Sequence, residues 1–205
     1  GAEVFAIEYD RRLHAHLAAN LAPAYPGQLH LMHGDAMDHP LAGLSGEAAG
    51  RVHDGPFKIV ANLPYAIATP WMDAVLTGWL PELMVLMLQK EAADRYHARP
   101  GTKAHGPIAI FLEAAFAREP GHPVAARCFH PVPAVDSVLM KLRRREQTYT
   151  FQKRTKALIR AFFTQRRKQI GALTRQQEAA LQPALGEWLE GHLPHLGYTP
   201  QARPE

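Results

Sequence analysis

Glu8, Asp35 and Asn62 recur at intervals of 27 residues, each at the end of a short apolar run. The runs are EVFAIEYD, LHLMHGDAMD and FKIVANLPY. Each reads as a strand, and FKIV reads as a buried one. The interval fits one strand-helix-strand unit, which would put the three residues at the carboxyl ends of successive strands. In an open α/β sheet that is where ligands bind. An acid at such a position accepts hydrogen bonds from a ribose diol, a role for Glu8. An acid at the next strand end can accept from an adenine amino group, a role for Asp35. Alternatively, each acid caps the helix that follows, and Gly34-Asp35-Ala36 has the composition of a cap.

The third run ends in Asn62-Leu63-Pro64-Tyr65, an unusual way to leave a strand. The tetrapeptide suits chemistry on the exocyclic amine of adenine. That nitrogen is a poor nucleophile because its lone pair is delocalised into the ring. Acceptors placed around it draw it toward tetrahedral geometry and aim the lone pair at an electrophile. The Asn62 side-chain oxygen and a backbone carbonyl near Leu63-Pro64 are suitable acceptors. Pro64 fixes its own φ and restricts Leu63, stiffening the backbone that presents the carbonyl. Tyr65 offers a flat face to a base taken out of its stack, a contact worth about 1–3 kcal/mol. Positioning and hydrogen-bond acceptance, without a strong general base, would carry most of the rate.

These residues need a scaffold, and the rest of the chain supplies its elements. Helix-forming content runs from Arg11 to Leu21 and from Ala68 to Leu80. MVLMLQKEAADRY begins as a strand and continues as a helix, IAIFLEAAFA is mixed, and RCFHPVPAVDSVLMKLRRR holds two proline-punctuated extended pieces. Residues 40–56, rich in Gly, Ala and Pro, read as a loop. Strands alternating with helices predict an α/β fold with a parallel, doubly wound sheet. After Thr148 the pattern is helical, which predicts two domains, 1–147 and 148–205.

With 47% hydrophobic and 20% charged residues, the composition is that of an ordinary soluble globular protein. No apolar run approaches the roughly 20 residues needed to span a bilayer. Cys128 is the single cysteine, which excludes a disulfide framework and fits a reducing, cytoplasmic compartment. The twelve histidines do not join acids or a cysteine at ligand spacing: His14 and His16 are two apart, and His30 and His33 are three apart. No metal site is expected. Between Lys141 and Glu178, twelve Lys and Arg face only Glu146 and Glu178, while the whole chain is +4. So concentrated a basic segment fits a polyanion partner, nucleic acid before membrane; the alternative is a solvated helix face.

Four stretches in this order resemble one family. Asn62-Leu63-Pro64-Tyr65 is similar to the NLPY motif of adenine-N6 methyltransferases that use S-adenosylmethionine. LQKEAADRY, CFHPVPAVDSVLMKL and FFTQRRKQIGAL resemble stretches of the ribosomal RNA adenine dimethyltransferases. The resemblance implies a Rossmann-like methyltransferase sheet over residues 1–147 and a small, basic, RNA-binding helical domain over 148–205. It implies dimethylation of two adjacent adenines in a hairpin near the 3′ end of small-subunit rRNA, by a monomer acting on the small ribosomal subunit. Glu8 then matches the acid on the cofactor ribose, and Asp35, with Ala36 beside it, the site of the cofactor adenine. Asn62 matches a residue that touches both cofactor and target amine, with Leu63 and Pro64 completing the turn. Tyr65 and Phe129 match the aromatic pair around the flipped adenine, although Phe129 also suits a core aromatic before a proline turn. Arg143, Arg144, Arg145, Arg166, Arg167 and Lys168 would meet rRNA phosphates.

The sequence departs from the family in one respect. The first strand and its glycine-rich loop, of the type E-x-G-x-G, which wraps the methionine part of the cofactor, are absent. The resemblance also predicts a helix beyond Arg203-Pro204-Glu205, so both ends read as cut. The expectation is a chain of low stability that binds S-adenosylmethionine weakly or not at all. Two other functions stay open: a large-subunit rRNA adenine methyltransferase conferring antibiotic resistance, and a non-catalytic RNA-binding or assembly factor. Val135-Asp136-Ser137 and Gln165-Arg166-Arg167-Lys168 favour the small-subunit group over the first. The intact tetrapeptide argues against the second.

Overall fold

The computed structural model describes residues 1–44 and 55–204, so most of the loop expected over residues 40–56 lies outside the described residues. The chain divides into two compact units, residues 1–93 with 115–150, and residues 94–114 with 151–205.

In the first unit, β1 (Val4–Glu8) leads into α1 (Arg11–Asn20) and β2 (Leu29–His33). Asp10 starts α1 by accepting from the backbone N–H groups of Arg12 and Leu13 at 2.7 and 2.9 Å. β1 and β2 pair in parallel, with Glu8 opposite His33. β3 (Lys58–Asn62), α2 (Tyr65–Val75) and β4 (Leu83–Gln89) form a second parallel unit. β4 sits inside a four-stranded sheet of order β3-β4-β6-β5, completed by β5 (Phe116–Val124) and β6 (Ser137–Arg144).

The sheet departs from the all-parallel expectation, because β6 runs antiparallel to both β4 and β5. β5 and β6 follow one another without a crossover helix, and only such a crossover returns a strand parallel. A register shift between Glu119 and His122 marks a bulge in β5. Gly121 sits there because a Cβ would fall 2.5 Å from the Leu139 carbonyl oxygen.

Burial follows the elements. On α2, Ala68, Trp71, Met72 and Val75 are buried at helical spacing. On β4 the buried residues alternate as Met84, Leu86 and Leu88. The helix expected from Ala68 to Leu80 begins earlier, at Tyr65, because Pro64 enters it with φ −53°. It ends at Val75, before Thr77-Gly78. The buried reading of FKIV is also corrected. Among the described residues β3 pairs only with β4 and so forms an edge, and Val60 at its centre is 84% exposed. Among the described residues, β1 pairs with β2 alone, so β1 and β3 each keep an unpaired edge.

The second unit contains most of α4 (Pro107–Ala115), with α5 (Lys153–Thr164), α6 (Ile170–Arg175) and α7 (Gln182–Gly191). The tail is helical as its pattern predicts, and residues 94–114 join it. Phe111 is buried within it, with the Phe151 ring at 5.2 Å and the cationic ends of Lys156 and Arg160 at 5.5 and 5.4 Å from its ring centroid. Lys156 is only 3% exposed, so this member of the basic segment belongs to the interior. The segment after α7 returns to α6, where Ile170 and Gly171 donate backbone N–H groups to the carbonyls of Ala202 and Pro200 at 2.8 and 2.9 Å. A Cβ on Gly171 would stand 3.0 Å from Pro200.

Candidate active site

The ends of β1 and β2 lie side by side, because Gly34 N–H donates to the Glu8 carbonyl at 3.1 Å. The Glu8 carboxylate accepts from Asp10 N–H at 2.7 Å, and the Asp35 carboxylate from Met37 N–H at 2.8 Å. Each acid therefore braces its own turn through one oxygen, but neither caps a helix: Asp10 caps α1, and among the described residues no helix follows Asp35 before β3. Both are half-buried, and Ala36 occupies the Asp35 turn. A carboxylate that uses one oxygen to brace its turn keeps further acceptor capacity, which suits a diol or an amine.

Asn62 closes β3 opposite Met87, and its side chain is exposed. The Pro64 carbonyl accepts from Ile67 N–H at 3.1 Å and so belongs to the first turn of α2. Of the two carbonyls that the sequence offers, Leu63 is therefore the better placed to accept from a substrate. Tyr65 is the first residue of α2 and is 38% exposed. Its hydroxyl lies 3.1 Å from Ser137 Oγ.

Asp136 and Ser137 knit three further stretches together. The Asp136 carboxylate accepts from Ala126 N–H at 2.9 Å, holding the short 3-10 turn Ala126–Cys128 that precedes Phe129. The Asp136 carbonyl accepts from Lys90 N–H at 3.1 Å, at the start of α3 (Lys90–Tyr96). Ser137 begins β6 opposite Gln89 of β4 and Val124 of β5, and reaches Tyr65. Phe129 is half-buried and extended, with its N–H bonded to the Ala126 carbonyl at 3.1 Å. Asp136 and Ser137 entered the sequence reading only as part of a recognisable segment. Their roles were invisible there because the partners lie up to 72 positions away.

The structure thus joins Glu8 with Asp35, and Tyr65 with the segment that carries Phe129. Among the described residues, no hydrogen bond links the acid pair to Asn62. No group of three His, Cys, Asp or Glu side chains converges among the described residues, and no described helix is long and apolar enough to cross a membrane.

Several of the basic residues have protein partners. Arg143 pairs with Glu119 through Nε and lies 3.6 Å from Glu82, while Lys141 meets Glu119 at 2.7 Å. Hydrogen bonds from Arg143 and then Lys141 hold the Glu119 carboxyl at about 2, against its ordinary 4.5. Arg144 donates to the Leu80 carbonyl at 2.8 Å. In the second unit Arg166 donates to backbone carbonyls, and Lys168 lies 3.4 Å from Gln176 Oε1. Arg145, Arg167 and Lys168 are exposed.

The profile of the family described as ribosomal RNA adenine dimethylase matches residues 2–184. A ribosomal RNA small subunit methyltransferase A of Opitutus terrae is 53% identical over 100% of this chain and 71% of its own length. The protein of that name from Rhodospirillum rubrum is 38% identical over 98% of this chain and 65% of its own length. The chain thus spans about two thirds of these relatives. Two solved structures share the fold at 23% identity. A dimethyladenosine transferase from Plasmodium falciparum has a TM-score of 0.68 over 96% of this chain and 67% of its own. The 23S rRNA methyltransferase ErmE has a TM-score of 0.64 over 98% of this chain and 75% of its own. Together these two establish a Rossmann-like methyltransferase fold.

Proposed function

Because the chain belongs to the ribosomal RNA adenine dimethylase family, we propose that it serves methyl transfer from S-adenosylmethionine to the N6 amines of two adjacent adenines in small-subunit rRNA. The relatives at 53% and 38% identity support the small subunit as the substrate. The first unit carries the chemistry, and the basic second unit meets the RNA.

The observation that carries this reading is the Asn62–Tyr65 turn, with Tyr65 pinned to Ser137 at 3.1 Å and its ring still partly open. A target adenine stacks on the Tyr65 ring, with Phe129 on the turn held by Asp136. Asn62 Oδ1 and the Leu63 carbonyl accept from the N6 amine and direct its lone pair outward. The N6 nitrogen would bond to the methyl carbon as the carbon–sulfur bond of the sulfonium breaks to leave a neutral thioether. The surplus N6 proton would pass to solvent, so no side chain needs to act as a strong base. Acceptors fixed before the reaction have no reorganisation cost in the transition state.

Glu8 and Asp35 fit the nucleoside half of the cofactor, as half-buried carboxylates on adjacent strand ends. When bound, the cofactor supplies a methyl group made electrophilic by its sulfonium.

The test is methyl transfer to undermethylated small ribosomal subunits, read as dimethyladenosine by mass spectrometry. Product from the wild-type chain, lost in Asn62→Ala, supports the reading. If the chain is silent, it is joined to the first strand and loop of a relative, and continued silence overturns the enzymatic reading.

A further inference from the structure

Arg166 directs its guanidinium into the loop of residues 98–105, within its own unit. Nη1 donates to the Lys103 carbonyl at 2.8 Å, and Nη2 to the carbonyls of Thr102 and His105 at 3.3 and 3.2 Å. The loop is also closed on itself. His105 Nδ1 lies 2.8 Å from the Ala98 carbonyl oxygen, and Thr102 Oγ1 donates to the Arg99 carbonyl at 2.7 Å. His105 is 5% exposed and meets Phe163 of α5 edge-on, with ring centroids 5.7 Å apart. Gly101, at φ +81°, supplies the turn that an L side chain rarely allows.

Two consequences follow for the loop's outer face. The carbonyls of Ala98, Arg99, Thr102, Lys103 and His105 are all engaged by donors of this unit. Few acceptor dipoles are then left to repel an anion. What remains outward is cationic: Arg99 and Lys103 are exposed, and Arg167, next to the clamping arginine, is exposed too. The unit as a whole has twelve Lys and Arg against six Asp and Glu.

We propose that the loop of residues 98–105 is a contact surface for RNA backbone phosphates. Arg99, Lys103 and Arg167 meet the phosphates, and Arg166 is a positioning residue that holds the loop in place. The proposal rests on the reading of the chain as an RNA-modifying protein. It differs from a simple basic patch in one respect: Arg166 acts through its fork geometry and not its charge. A lysine there keeps the charge but cannot span three carbonyls.

The test titrates a small-subunit 3′-end hairpin transcript against the chain over a range of KCl concentrations. Each lost phosphate contact lowers the slope of log affinity on log salt by about 0.7 to 0.9. Lys103→Gln is expected to show that drop. Arg166→Lys is expected to show at least the same drop with its charge retained, together with faster amide exchange at His105. Adding K103Q to R166K should then change affinity less than about twofold, since both act on one contact. Wild-type affinity and slope in R166K, or fully additive effects, overturn the positioning role. If R166K does not fold, the exposed R99Q, K103Q and R167Q variants decide, and three unchanged slopes overturn the surface. A wild-type chain that does not bind the hairpin at all overturns the RNA reading itself, and this surface with it.

Discussion

The Tyr65 hydroxyl and the Ser137 Oγ lie 3.1 Å apart, and Ser137 is 2% exposed. The bond joins the first residue of α2 to the first residue of β6, and so ties the aromatic platform to the sheet. Its loss leaves the ring free to choose other rotamers, so the cost should fall on positioning more than on folding. Tyr65→Phe and Ser137→Ala should each lower methyl transfer about tenfold, in a chain that shows transfer. Each should cost about 1 kcal/mol of stability. The double variant should be no slower than the slower single, because both remove one interaction. Additive losses in rate would show that the two residues act separately.

Asn62 is exposed and closes an edge strand, so its side chain is expected to matter for chemistry and little for stability. Asn62→Ala should reduce methyl transfer by on the order of 10²–10³, the scale seen when one preorganised polar contact is removed from a reacting centre. Its unfolding free energy should stay within about 0.5 kcal/mol of the wild-type value. A loss of stability with an unchanged rate would reverse the assignment.

No residue between Gly1 and Leu44 is fully buried, whereas Met84, Leu86 and Leu88 on β4 are. The strand pair that presents Glu8 and Asp35 therefore has little apolar burial to hold it. Amide exchange should be fast in Val4–Glu8 and Leu29–His33 and slow in Leu83–Gln89. S-adenosylmethionine binding by the chain should correspondingly be weaker than micromolar by calorimetry. Equal protection in the three strands, or micromolar binding, would contradict this.

Folding lowers the Glu119 carboxyl from 4.5 to about 2, chiefly through the Arg143 hydrogen bond, then that of Lys141. A depressed carboxyl contributes its full stability above about pH 4.5 and loses it as pH falls toward 2. Glu119→Gln should therefore be less stable than wild type at neutral pH, and the difference should shrink between those limits. Thermal unfolding of both proteins at several pH values is the check. A constant difference would mean that the ion cluster contributes nothing through titration.

Much of the fold was legible from local pattern. The spacing of Glu8 and Asp35 reported one strand-helix-strand unit, whereas among the described residues no helix separates β2 from β3; the helical tail followed from its periodicity. β6 escaped the parallel expectation because strand direction depends on the connection and not on the run itself. Val60 escaped the buried reading because an apolar residue on an edge strand carries no mark of which face is covered.

The candidate site divides in the same way. Sequence alone determined which residues could do chemistry, because the need for an amide acceptor, a stiffened carbonyl and a flat ring is met within four consecutive positions. It could not determine which cations are free to meet a polyanion. Arg143 faces Glu119, Arg144 a carbonyl at Leu80, and Arg166 three carbonyls more than 60 positions away. Nor could it show that Ser137 holds Tyr65. Those choices belong to the tertiary structure, because a hydrogen bond is satisfied by distance in space, which sequence separation does not encode.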